Sequence, residues 1–413
     1  MPQSSPRFGR AAGVGLLVLA LFCNVASAAS NSSDDVPADA VVADLPFLSV
    51  PGSPRIHLDL AAPGDPPLPV ILDTGFARTL ASDAALRKIG ETSSSVPYIR
   101  RNTALGTSIK ITRSGIRNPD SRKHDWVRFG GEPLLNFILE IDFEKRRVRF
   151  LDRSKFSIAS SAPSPDRTVL PIMQMAYRPF TEIEVNDRKV TVAIDTTVTL
   201  PVTIGARTLA KAAVHPKTLP VLRARGTQIS TTRLFETDRV RIGPFDFGVL
   251  PVFIAPQGQV DAMGPSGPAI GLDMLMNFKV RLDLKGGELW LERTRTAPVG
   301  FGGVDYAHTR SSGLFLGPLG DQWVVLGVLP ESPADKSGFL PADRIDRTDS
   351  EFRDSRRLQE AVRTQTPLTI QRRVGEQILE LIAPTQTSHR FDASSTDAHA
   401  ATPPLASTAL AVR

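Results

Sequence analysis

The dipeptide Asp-Thr stands twice in this chain, in Leu72-Asp73-Thr74-Gly75 and in Ile194-Asp195-Thr196-Thr197. Each copy follows a short apolar run, Val70-Ile71-Leu72 or Val192-Ala193-Ile194. Two further blocks repeat behind it in the same order. Gly106-Thr107-Ser108-Ile109 begins 33 residues after Asp73, and Gly226-Thr227-Gln228-Ile229 begins 31 after Asp195. Leu134-Leu135-Asn136-Phe137 then answers Met274-Leu275-Met276-Asn277-Phe278, and each Asn stands 6 residues before an Asp, Asp142 or Asp283. A duplicated unit constrains the fold more tightly than composition does. Halves that share a pattern fold alike and pack about a pseudo-two-fold axis, and such an axis brings equivalent side chains face to face. Here those side chains are two carboxylates.

Both units read mainly as strand. Ile56-His57-Leu58-Asp59-Leu60 and Ile183-Glu184-Val185 alternate, as half-buried strands do, and the runs before the aspartates are apolar on both faces, as interior strands are. Residues 132–137 and 273–278 read as single helical turns. Each leads into a closing hairpin, in which Asp142 and Asp283 are expected as turn residues.

A chain of 413 residues holds about three domains. Residues 1–28 read as a cleavable signal peptide: Arg7 and Arg10, then an apolar run from Ala11 to Phe22, then Ala26-Ser27-Ala28. That placement predicts a periplasmic or secreted protein with no integral membrane segment after cleavage. Cys23, the single cysteine, lies within this segment, so no disulfide is expected. Residues 29–44 read as a flexible lead-in, 45–153 as the first lobe and 154–167 as a linker. Residues 168–293 read as the second lobe, 300–384 as a third module and 385–413 as a disordered tail.

The formal charge is +6. The basic runs 100–128 and 344–373 read as solvated faces, without the aromatic interleaving that nucleic-acid binding uses. The six histidines show no metal-ligand spacing, and no phosphate-loop or serine-nucleophile signature occurs. No metal or cofactor is expected.

Asp73-Thr74-Gly75, with Gly130-Gly131 and Leu134-Leu135 behind it, resembles the retropepsin-like aspartic proteases. Ile270-Gly271-Leu272-Asp273-Met274-Leu275 is the second unit's equivalent. The resemblance covers residues 45–293 and implies two fused barrel-like β lobes in one monomer, a pseudo-dimer acting on polypeptide. It implies Asp73 and Asp195 as the catalytic pair, with Thr74 and Thr196 bonded across the lobe interface. It also implies that Gly75 lets backbone approach a carboxylate. A hairpin at residues 98–111 is expected to fold over substrate, with a counterpart at 221–229. Thr197 departs from the pattern, since glycine is expected there. Its side chain is compatible with an active site, an active site of altered acidity, or a peptide-binding cleft without turnover.

Residues 311–384 resemble a PDZ domain of the bacterial protease type, through Ser332-Pro333-Ala334, Gly338 and Pro341-Ala342-Asp343-Arg344-Ile345. Glycine is commoner than Ala342 at its place. The resemblance puts the peptide-binding loop at Gly313, Leu314, Phe315 and Leu316, for peptide C-termini or internal strands. The flanking helix is expected at 358–364.

Overall fold

The computed structural model describes residues 36–50, 55–91, 97–113, 127–158, 164–198, 200–205, 219–225, 228–237, 239–248, 250–255, 260–261, 264–265, 267–295, 306–319, 321–348, 353–374 and 377–383. The signal peptide and the C-terminal tail expected from sequence lie outside the described residues. The chain is mainly β, and no helix among the described residues is long and apolar enough to cross a membrane.

Lobe 1 is built from β1 (Val41–Pro46), β2 (His57–Asp59), β3 (Pro69–Leu72), β4 (Leu80–Ala81), β5 (Tyr98–Asn102), β6 (Ser108–Arg113), β7 (Val127–Phe129), β8 (Phe137–Asp142) and β9 (Arg147–Asp152). Lobe 2 starts with β10 (Arg167–Pro171), β11 (Met173–Met175), β12 (Arg178–Val185), β13 (Arg188–Ile194), β14 (Val202–Gly205), β15 (Leu219–Arg225), β16 (Gln228–Glu236) and β17 (Val240–Ile242). It ends with β18 (Phe245–Asp246), β19 (Pro251–Ala255), β20 (Val260–Asp261), β21 (Gly264–Pro265), β22 (Ala269–Ile270), β23 (Phe278–Asp283) and β24 (Glu288–Arg293).

The lobes repeat one topology. In lobe 1, β3 runs parallel to β7, β7 antiparallel to β4, and β4 parallel to β6. In lobe 2, β13 runs parallel to β22, β22 antiparallel to β14, and β14 parallel to β19. The expected helical turns are present as Gly131–Leu134 and Leu272–Leu275. Asp142 and Asp283 accept from Lys145 and Gly286 backbone N–H at 2.9 and 2.6 Å, so both are turn residues.

This topology corrects the pairing of the two Gly-Thr blocks. The strand after Gly106 is β6, which lies along β4, and its structural equivalent is β19 rather than β16. The turn that carries Gly106 is fixed to its own lobe. Ala104 N–H donates to Leu60 O at 3.1 Å, and Leu105 is buried at the tip. A hairpin with its tip packed into the core is not placed to fold over substrate. In lobe 2 the β15–β16 hairpin precedes β19, and β15 lies against the third module.

That module carries β25 (Leu314–Leu319), β26 (Gln322–Val328), β27 (Arg344–Asp346), β28 (Leu368–Val374) and β29 (Gln377–Ala383), paired in sequence order. The expected helix spans Ser355–Arg363 and buries Leu358 and Val362. Asp354 caps it, accepting from Arg356 N–H at 2.9 Å. Ala342 has φ +78°, the left-handed turn for which glycine is commoner.

The lobes join in one six-stranded sheet, ordered β1-β9-β8-β23-β24-β10. At its centre β8 meets β23 antiparallel, with Ile141 opposite Val280 and Leu139 opposite Leu282. The sheet's outer strands correct the expected lead-in and linker. Val41–Pro46 is a strand on β9, and Arg167 starts its counterpart on β24. Edge pairing holds β1, and only alternate residues need apolar cover. On the central pair Glu140 is fully buried opposite Arg281. Arg281 Nε and Arg149 Nε donate to it at 2.7 and 2.6 Å, and the Arg281 guanidinium lies 4.2 Å from the Trp290 ring centroid. Removing the carboxylate leaves a desolvated guanidinium without its main counter-charge. Glu140→Ala is therefore expected to lower unfolding free energy by about 3–5 kcal/mol, read by urea denaturation.

Candidate active site

Each aspartate leaves an interior strand at the point where the topology repeats. Asp73 N–H donates to Phe129 O and Asp195 N–H to Ile270 O, both at 3.0 Å. Three residues on, the carbonyls of Phe76 and Val198 accept from Gly131 and Leu272 N–H, both at 2.7 Å. Both aspartate loops are thus held by equivalent backbone bonds, and each is anchored on the helical turn of its own lobe.

The loops then lock to each other. Thr74 Oγ donates to Ile194 O at 2.7 Å, and Thr196 Oγ donates to Leu72 O at 2.7 Å. In return, Thr74 N–H donates to Thr196 Oγ at 3.1 Å and Thr196 N–H to Thr74 Oγ at 3.2 Å. Both threonines are completely buried, so no water competes for these four bonds. Gly75 is required for a different reason. A Cβ there would stand 2.1 Å from Asp195 Oδ2.

Thr197 occupies the place where symmetry expects a second glycine, and it does not crowd the pair. Its backbone N–H and its Oγ both reach Asp195 Oδ1 at 2.8 Å, and Val198 N–H reaches the same oxygen at 3.3 Å. The same Oγ lies 3.4 Å from Asp73 Oδ1. One hydroxyl therefore links the two carboxylates. It has a single hydrogen to share between two acceptors, Asp195 Oδ1 at 2.8 Å and Asp73 Oδ1 at 3.4 Å.

Burial, and next the neighbouring charge of Asp195, push the Asp73 carboxyl up to about 7. Arg128, Arg55 and the Thr197 bond act the other way. The balance favours the protonated form of Asp73, while three donors converge on one oxygen of Asp195.

Two arginines complete the site, and sequence reasoning missed both. Arg128, on β7, is buried, with Nη1 3.3 Å from Asp73 Oδ2. It ends the basic run 100–128, which reads from sequence as a solvated face. Its signal was its setting, between Val127 and Phe129 directly before Gly130-Gly131. Arg178, at the start of β12, crosses from lobe 2 and donates from Nε to Gly75 O at 2.5 Å. Nothing local in the sequence marks it.

Of the four residues expected to bind peptide in the third module, Leu314, Phe315 and Leu316 begin the edge strand β25 and Gly313 directly precedes it. Gly313 N–H donates to Thr309 O at 2.7 Å and Leu314 N–H to Ser312 Oγ at 3.1 Å. Two of the four N–H groups expected to receive a terminal carboxylate, those of Gly313 and Leu314, are thus engaged internally. No group of His, Cys, Asp and Glu able to hold a metal occurs among the described residues.

Thr196→Val keeps the volume but leaves Leu72 O and Thr74 N–H buried without partners. An unfolding titration is expected to show a loss of about 2–4 kcal/mol, with Thr196→Ser much closer to the parent.

No model of a known protein family matches the chain, and no curated protein does. Among solved structures the chain is similar to a retropepsin-like aspartic protease from Rickettsia conorii. That match has 17% identity and a TM-score of 0.24, over 31% of this chain and 90% of that one. It is also similar to Basic 7S globulin from soybean, with 10% identity and a TM-score of 0.32, over 60% of this chain and 94% of that one.

Proposed function

We propose that the chain is an aspartic-type endopeptidase, working as a monomer whose two lobes act as a pseudo-dimer. The observation that carries this reading is the Thr197 hydroxyl within 3.4 Å of both Asp73 and Asp195, on loops locked by Thr74 and Thr196. Peptide hydrolysis needs a base to activate water and an acid to protonate the carbonyl. Asp195 takes a proton from water as the water oxygen bonds to the peptide carbon. Asp73 gives its proton to the carbonyl oxygen. Collapse of the tetrahedral intermediate breaks the C–N bond; the proton on Asp195 passes to the leaving amine, and a hydroxyl of the intermediate returns a proton to Asp73 as the carboxylic acid product forms. The shared-proton scheme is the general one for carboxylate dyads, and aspartic proteases are its standard example.

The third module suits a PDZ-like role, with a peptide added along the edge strand β25. Because the amides of Gly313 and Leu314 are engaged, internal extended segments fit better than free C-termini. The residues 1–28 support export to the periplasm or beyond.

A second reading, a peptide-binding cleft without turnover, is favoured by one observation. Asp73 Oδ2 is buried without a hydrogen bond and faces Arg128. In this reading Arg128 holds the acid closed.

Peptide cleavage over acidic to neutral pH separates the two. The endopeptidase reading expects turnover that Asp73→Asn and Asp195→Asn each abolish; no turnover by the parent at any pH supports the silent cleft. The proton on Asp73 is present below about 7 and lost above it, so kcat/KM is expected to fall as pH rises through that value. Arg128 favours the charged form of Asp73. Arg128→Gln is therefore expected to move this falling limb to higher pH, and a downward move would contradict the assignment.

A further inference from the structure

Arg178 is held more firmly than a surface arginine. Its Nε donates to Gly75 O at 2.5 Å, and its guanidinium lies 4.9 Å from the Phe180 ring centroid. The first contact fixes it beside the Asp-Thr-Gly loop of the opposite lobe. The second fixes its plane. A guanidinium carries five N–H donors, and only Nε has a hydrogen bond among the described residues. Both carboxylates of the pair are near enough to act on its charge.

On the lobe 1 side stands Arg128, 3.3 Å from Asp73. Its register equivalent in lobe 2 is Ala269: Arg128 pairs with Ile71 one residue before Leu72, as Ala269 pairs with Ala193 one residue before Ile194. Its charge therefore has no counterpart at the symmetric position. A pair holding one proton carries a single negative charge between these two cations. The walls beside the carboxylates are net positive, in a site already partly desolvated, where a charge partner is worth more than in water.

We propose that the cleft selects peptides with an acidic side chain beside the scissile bond, and that Arg178 reads that side chain through its terminal N–H groups. The pinned, planar fork matches a carboxylate in two-point contact, at little ordering cost. This rests on the endopeptidase reading of the same site and names its substrate class.

The test uses two non-hydrolysable peptides with a hydroxyethylene unit at the scissile position, one carrying Glu beside it and the other Gln. Calorimetry with the full chain and with Arg178→Gln measures binding without requiring turnover. The parent is expected to bind the Glu peptide at least about tenfold more tightly, by an amount that shrinks as salt is raised. In Arg178→Gln the two peptides are expected to bind within about twofold, with the Gln peptide showing that the cleft is intact. Equal binding of both peptides by the parent, or a preference that survives in the variant, overturns this proposal alone. Failure of the parent to bind either peptide overturns the endopeptidase reading and this proposal with it. If Arg178→Gln binds neither peptide, Arg178 holds the cleft together rather than reads substrate, and the proposal is overturned.

Discussion

Everything at the centre of this molecule depends on the exchange of hydrogen bonds between Thr74 and Thr196. Two lobes meeting only through a sheet could slide by a fraction of an ångström, and carboxylates on flexible loops would separate to relieve their repulsion. The exchange prevents both. Each threonine gives its hydroxyl to the other lobe's backbone carbonyl and takes the other's N–H, and both are fully buried. The carboxylates are next to these residues in sequence, so fixing the threonines fixes the pair. The six-stranded sheet behind them sets the coarse alignment, with Glu140 and Arg281 matched across its midline.

The symmetry of the scaffold holds a chemically asymmetric site. Gly75 lies directly against the Asp195 carboxylate, whereas Thr197 at the opposite position places a hydroxyl between the two acids. Arg128 faces Asp73, while Ala269 stands at the matching register in lobe 2. A symmetric pair would share its proton evenly. Here three donors converge on Asp195, while burial beside a second carboxylate pushes Asp73 up, so the surroundings make the two acids unequal.

Much of this was readable from the chain. The strand runs before Asp73 and Asp195 show because interior strands are continuous apolar stretches, and the closing hairpins show because their turn aspartates repeat. The Gly-Thr blocks misled because hairpin turns of every kind favour glycine, so a matching turn need not be an equivalent one. Val41–Pro46 was hidden by its acidic surroundings, although Val41, Ala43 and Leu45 alternate. Arg128 and Arg178 were hidden for a deeper reason. Their partners lie 55 and 103 residues away, and no local pattern encodes a long-range charge contact.

The central claim is that one proton resides on Asp73 within a hydroxyl-linked pair. Infrared difference spectroscopy across a pH titration reads it without any substrate. The account predicts a protonated-carboxyl C=O band that disappears as pH rises through about 7 and is missing from Asp73→Asn. A parent protein with no such band at mildly acidic pH, or one whose band persists in Asp73→Asn, would contradict it.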